Sequence, residues 1–189
     1  MRSEYNKSTM GLIGWLVLLA CSLVLTGCVT ETGSVYSQEV SPADAAQSHV
    51  DAAMSYLRDG DSENALRHLR KALEIDPKST TVHNALAYAF QLSGEDALAE
   101  KHYKAALRLD SSNTTARNNY AYFLYTCGEF KSAKKQLELV VQDTLYARRV
   151  NAFFLMGQTD LQLDDMAGAE ASFMRAASLD RLFTPPSWS

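Results

Sequence analysis

Four histidines and three cysteines are the residues of this 189-residue chain best suited to bind a metal or attack a carbonyl, and their placement argues against both roles. His49 and His83 stand 34 residues apart, and so do His68 and His102. Each pair is one position of an internal repeat met twice, so packing explains the spacing without a metal. No His-Glu-x-x-His, Cys-x-x-Cys, Gly-x-Ser-x-Gly or glycine-rich phosphate loop occurs. With no nucleophile placed beside a base and no ligand set, neither catalysis, a metal nor a cofactor is expected. Cys127 stands alone near the end of a helical stretch. It reads as a small packed residue, with cross-linking of two chains as the alternative for a lone thiol in an oxidising compartment.

The elements that place these residues come from the repeat itself. Numbering Thr80 to Asn113 from 1 to 34 puts His83 at position 4, Leu86 and Ala87 at 7 and 8, Phe90 at 11, Gly94 at 15, Ala99 at 20, Tyr103 at 24 and Ala106 at 27. That order of large and small residues is the tetratricopeptide pattern. The preceding copy reads His49, Ala52, Ala53, Tyr56, Gly60, Ala65, Leu69 and Ala72, with Pro77 closing it. The following copy reads Arg117, Tyr120, Ala121, Leu124, Gly128, Ala133, Leu137 and Val140. A fourth needs a step of 36, reading Phe153, Met156, Gly157, Leu161, Ala169, Phe173 and Ala176, with the two extra residues near Asp143 to Tyr146.

The fold expected is therefore all-α: a tetratricopeptide superhelix of about four helix-turn-helix repeats at 46–79, 80–113, 114–149 and 150–181. Small residues at positions 8, 20 and 27 let paired helices approach. Large ones at 4, 7, 11 and 24 fill the space between pairs, so no copy can bury its apolar face alone. Gly60, Gly94 and Gly128 fall in the turns, where positive φ is useful, and Asp61, Glu95 and Glu129 follow with negative charge for the next helix.

Ahead of the repeats, Arg2 and Lys7 precede an uncharged run from Gly11 to Leu25 that ends in Leu25-Thr26-Gly27-Cys28. A charged start, an apolar segment and small residues at the cut describe a secretory signal peptide over 1–27. Cys28 after Leu-Thr-Gly resembles the lipobox of bacterial lipoproteins, which implies cleavage before Cys28 and acylation of its sulfur and its new amino group. Several acyl chains, at about 0.8 kcal/mol per buried methylene, would make that anchor permanent. Two alternatives are an uncleaved anchor, since the uncharged stretch from Ser8 to Thr30 approaches spanning length, and a cut before Cys21. Val29, where an Asp commonly marks retention in the inner membrane, implies transfer to the outer membrane. Residues 28–41 are polar and without period, a tether. Ser41-Pro42 then offers a cap and a first helical residue, so the repeat domain spans 42–181 and a tail 182–189.

Without Arg2, Lys7 and Glu4, 16 basic residues face 21 acidic ones. No basic cluster of the kind a phosphate backbone requires is present, so nucleic acid is excluded as a partner. Cys21 leaves with the signal and Cys28 is spent on lipid, so no disulfide can form within the processed chain.

In tetratricopeptide arrays the first helix of each pair lines a concave face. Positions 2, 5, 9, 12 and 13 place Met54, Leu57, Asn84, Tyr88, Gln91, Asn118, Tyr122, Tyr125, Phe154 and Gln158 there. Aromatic rings with polar tips and side-chain amides suit an extended polypeptide, not a small-molecule substrate. Packing of some of these tyrosines against neighbouring helices is the alternative. Positions 2 and 5 carry no basic residue, which disfavours a clamp for a peptide carboxylate.

Two stretches are more specific. Asn118-Asn119-Tyr120-Ala121-Tyr122-Phe123-Leu124-Tyr125 and Gln142-Asp143-Thr144-Leu145-Tyr146 resemble the corresponding places in the type IV pilus biogenesis lipoproteins called PilF or PilW. The second falls where the period lengthens. The resemblance implies a pilotin: an outer-membrane lipoprotein on the periplasmic face that binds the secretin subunit and promotes its localisation and multimerisation. The alternative is a lipid-anchored adaptor for another envelope assembly machine. That family typically carries about six repeats. Leu182, Phe183 and Trp188 in the tail are expected to cap the last apolar face, the alternative being a shortened relative whose exposed end binds a partner.

Overall fold

The structure is a computed structural model, and it describes residues 41–179. The signal peptide, Cys28 and its tether, and the tail with Leu182, Phe183 and Trp188 lie outside the described residues.

Among the described residues there are eight helices and no strand. They are α1 (Pro42–Arg58), α2 (Ser62–Ile75), α3 (Thr80–Leu92), α4 (Asp96–Leu109), α5 (Thr114–Thr126), α6 (Phe130–Val140), α7 (Arg149–Gln162) and α8 (Met166–Leu179). Consecutive helices pair as α1–α2, α3–α4, α5–α6 and α7–α8, and each pair touches only its neighbours in the series, as a solenoid requires. First helices also meet one another: α1 lies against α3, α3 against α5, and α5, least closely, against α7. None of the helices described is long and apolar enough to cross a membrane.

Local chemistry explains the starts and stops. Ser41 accepts a hydrogen bond from the Asp44 amide at 3.1 Å, with Pro42 in the first turn. Ser79 and Asn113 cap α3 and α5 in the same way, accepting from Val82 and Ala116. Second helices start on an acid: Asp61 caps Asn64 and Asp165 caps Gly168, whereas the longer Glu95 and Glu129 make no side-chain cap. The turns within pairs use Gly60, Gly94 and Gly128 at φ 78, 72 and 77°. In the fourth pair Asp164 takes that place at φ 58°, a conformation Asp tolerates better than most residues.

The core follows the small-and-large rule. Ala53, Ala87 and Ala121 at position 8, and Ala65, Ala99, Ala133 and Ala169 at position 20, are buried. Opposite position 8 stand Leu69, Tyr103, Leu137 and Phe173, buried as well. Gly157 holds position 8 in the fourth repeat because a Cβ there would lie 2.8 Å from the Phe173 ring.

The fourth repeat corrects one expectation. A step of 36 carries position 11 from Leu124 to Asp160, not to Leu161. Asp160 is 1% exposed. Its carboxylate meets Lys134 of α6 at 2.6 Å and accepts from the Ser172 hydroxyl at 3.1 Å. Lys134 also reaches Asp165 at 2.9 Å, so one ammonium serves two carboxylates of the next repeat. Those two carboxylate contacts push the Lys134 pKa up, and the hydrogen bond from Lys134, with that from the Gly168 amide, holds Asp165 below the usual carboxylate range. Leu161 is half-buried and lines a shallow recess with Met166, Ala169 and Glu170.

Candidate functional site

The histidines expected to be packing residues do pack, in register and with a specific geometry. His49 Nδ1 faces His68 Nδ1 at 3.1 Å, and His83 Nδ1 faces His102 Nδ1 at 3.0 Å. His68 stacks on Tyr56 and His102 on Phe90. The Pro77 carbonyl, 3.2 Å from His83 Nε2, can only accept, so that nitrogen carries the proton. His83 Nδ1 is then the acceptor and His102 Nδ1 the donor. Burial, the facing His83 and Lys101 depress the His102 pKa to about 4. Burial and then His49 depress that of His68. Among the described residues no three or more His, Cys, Asp or Glu side chains come together as a metal site.

Cys127 departs from its expected role. It sits at the C-cap of α5 with its side chain exposed. Partial burial of the sulfur and then the Asp96 carboxylate push its pKa up, which keeps it a thiol and a poor nucleophile.

The concave side of the four first helices encloses a trough of about 780 Å³. Met54, Asn84, Tyr88, Gln91, Asn118, Tyr122, Phe154 and Gln158 line it. Leu57 and Tyr125 do not. Leu57 is buried in the core between the first two repeats, and Tyr125 packs edge-on against Phe130 between the third repeat and its neighbours. Helical geometry alone does not separate them, since position 12 shares the face of positions 2, 5, 6 and 9 at 3.6 residues per turn. Gln91, also at position 12, reaches the trough with its amide held by the Tyr103 hydroxyl, whereas Leu57 and Tyr125 turn into the packing between helices.

Position 6, absent from the sequence expectation, contributes Asp51, Ala85, Asn119 and Leu155. Arg148 also lines the trough, from the connection between α6 and α7 that the repeat count does not number. That connection is a built turn: Asp143 accepts from the Thr114 hydroxyl at 2.6 Å and from the Leu145 amide at 3.0 Å, and Arg149 Nε donates to the Val141 carbonyl at 2.8 Å. It leaves Leu145 93% exposed.

Rows across the trough differ in chemistry. The repeat-one end is Val50 and Met54 with Asp51, and the repeat-four end is Phe154 and Leu155 with Arg148. Between them lie only uncharged groups, chiefly Asn84, Tyr88, Asn118 and Tyr122. Two of the amides are oriented from below. Asn119 Nδ2 donates to Asn84 Oδ1 at 3.2 Å, and the buried Tyr103 hydroxyl donates to Gln91 Oε1 at 2.9 Å. Both therefore keep their N–H groups for an occupant. Tyr122, half exposed, offers a broad ring face.

Comparison with known proteins agrees with this architecture. Models described as TPR repeat and tetratricopeptide repeat match residues 55–94 and 150–181. The chain is 38% identical over 158 residues to the type IV pilus assembly protein PilF of Pseudomonas aeruginosa, an alignment covering 83% of this chain and 63% of that one. A solved structure of P. aeruginosa PilF superposes with a TM-score of 0.72 at 38% identity over 74% of this chain and 63% of that chain. PilW, a widely conserved type IV pilus biogenesis factor, superposes at 0.69 with 22% identity over 73% of this chain and 63% of that chain, a likeness of fold. YrrB, a TPR protein with an unusual peptide-binding site, does so at 0.61 with 20% identity over 73% of this chain and 70% of that chain, again a likeness of fold. The chain thus spans 63% of the length of PilF.

Proposed function

We propose, for a chain that is a tetratricopeptide-repeat protein similar to PilF over most of its length, that it is a lipid-anchored binding protein of type IV pilus biogenesis. Cys28 carries the acyl chains that hold it on the periplasmic face of the outer membrane. The concave trough takes a segment of the secretin subunit, so that the subunit travels to that membrane and multimerises there. The activity is non-covalent: acyl chains supply an address, and the trough supplies binding free energy.

The observation that carries this reading is the 38% identity to a type IV pilus assembly protein along 158 residues. The trough supports it chemically, since rings with polar tips and free amide donors suit an extended backbone.

The test is a membrane fractionation with a blot for heat-stable secretin multimers, in cells making the wild-type chain, Cys28→Ala, or none. Loss of multimers without the protein, and secretin stranded in the inner membrane with Cys28→Ala, are the expected results. Normal rings in all three strains would overturn the secretin reading and leave a tetratricopeptide adaptor with another partner.

A further inference from the structure

We infer, building on the reading of the trough as the partner site, that its occupant is an extended segment, uncharged through its middle, with two apolar anchors about nine residues apart. A basic residue adjoins the anchor at the repeat-one end and an acidic residue adjoins the anchor at the repeat-four end.

The anchors follow from where apolar side chains reach the trough. Val50 and Met54 supply them from α1, and Phe154 and Leu155 from α7. Three helix-to-helix steps separate these ends, each about 10 Å for helices in contact. An extended chain rising about 3.3 Å per residue covers that span in about nine residues. The middle must be uncharged because nothing there could pair with a charge. A charged side chain buried against Tyr88 and Tyr122 would lose its hydration without compensation.

The backbone of the segment finds donors already aimed. Asn84 and Gln91 have their carbonyl oxygens engaged by Asn119 and Tyr103, so their N–H groups are left for peptide carbonyls. Asn118 makes no side-chain hydrogen bond among the described residues, and it offers both a donor and an acceptor. The ends set the charge order. Asp51 accepts from Gln47 at 2.8 Å but has no cationic partner among the described residues, and Arg148, lying 5.9 Å over the Tyr146 ring, has no anionic one. Each is exposed and keeps its charge for an occupant.

The test selects a random dodecapeptide display library on the full chain in detergent, beside Asp51→Arg and Arg148→Glu. A melting curve checks that each variant folds. Wild type is expected to enrich peptides with two large apolar residues seven to nine apart, uncharged residues between them, a base beside one and an acid beside the other. With both ends basic, Asp51→Arg should enrich peptides acidic at both ends. Arg148→Glu should enrich peptides basic at both ends. Each should bind the wild-type-selected peptides about five- to tenfold more weakly. Enriched peptides charged in the middle, unchanged preferences in the variants, or no enrichment on wild type would overturn the inference. If the chain supports secretin rings yet selects no such peptide, the inference falls and the secretin reading stands. If it selects them while rings form without it, the secretin reading falls and the assignment of the trough stands.

Discussion

The first two repeats and the last one solve the same packing problem with opposite chemistry. At positions 4, 11 and 23 the first repeat holds His49, Tyr56 and His68, and the second His83, Phe90 and His102, neutral rings bonded and stacked on one another. The third holds Arg117, Leu124 and Gln136, with the guanidinium donating to the amide oxygen at 2.8 Å. The fourth holds Phe153, Asp160 and Ser172, where the ring position of the earlier copies is a buried carboxylate tied to Lys134 of the preceding repeat. One backbone frame therefore accepts a neutral or an ionic filling. The ionic one depends on a neighbour, because a lone Asp160 charge could not be desolvated at this depth.

Breaking the ionic filling should have the largest effect. Lys134→Met leaves Asp160 with Ser172 alone and is expected to cost about 2–4 kcal/mol, less than the full figure for a buried pair because Lys134 is itself partly solvated. Adding Asp160→Leu, which restores the apolar character seen at Leu124, should return stability to within about 1 kcal/mol of wild type. Urea unfolding of the single and double variants measures both, and a double variant as weak as the single would show that the carboxylate is not the liability.

Acid should loosen the other end. Because the His68 and His102 pKa values are depressed on folding, the unfolded chain binds more protons between the ordinary histidine value and that of the folded ring. The stability that the His83–His102 pair confers is fully present above pH about 6.5 and is lost as pH falls toward about 4, by about 1–2 kcal/mol after discounting for solvent screening, and the His49–His68 pair weakens in the same direction. Hydrogen exchange at pH 5 against pH 7.5 should show α1–α4 losing protection before α5–α8. His83→Arg with His102→Gln, the pair that the third repeat carries, should abolish the effect in the second. Uniform loss along the chain would break the contrast.

The smallest effect tests the tightest seam. Gly157→Ala would force its methyl into the Phe173 ring and is expected to cost about 1 kcal/mol net of the better helix propensity of alanine. Pairing it with Phe173→Leu, the combination found as Ala53 with Leu69 and Ala121 with Leu137, should lower that cost on thermal unfolding.

Most of the architecture was legible because a solenoid writes its core as a period, and each position could be checked in the next copy. What escaped was chemistry that crosses between copies. A search for a large apolar residue at position 11 settles on Leu161, since nothing in the local sequence says that Lys134, 26 residues earlier, will neutralise Asp160. Asp164 hid likewise, as an aspartate doing the work of a glycine. In the trough, the helical face through positions 2, 5 and 9 was readable. Position 6 was passed over, and position 12 holds for Gln91 but not for Leu57 and Tyr125, because a side chain near the end of a first helix can be drawn either to the trough or into the packing between helices. Arg148 lies in an insertion that has no repeat number to read it from.

The uneven contact between successive first helices has a mechanical consequence. α5 meets α7 least closely of the three such neighbours, while α6 and α7 remain broadly joined behind it. That is a jaw with its pivot on the outer side. A change in the gape of the trough costs least there, with α7 swinging as the moving leaf and the first three repeats serving as the fixed one.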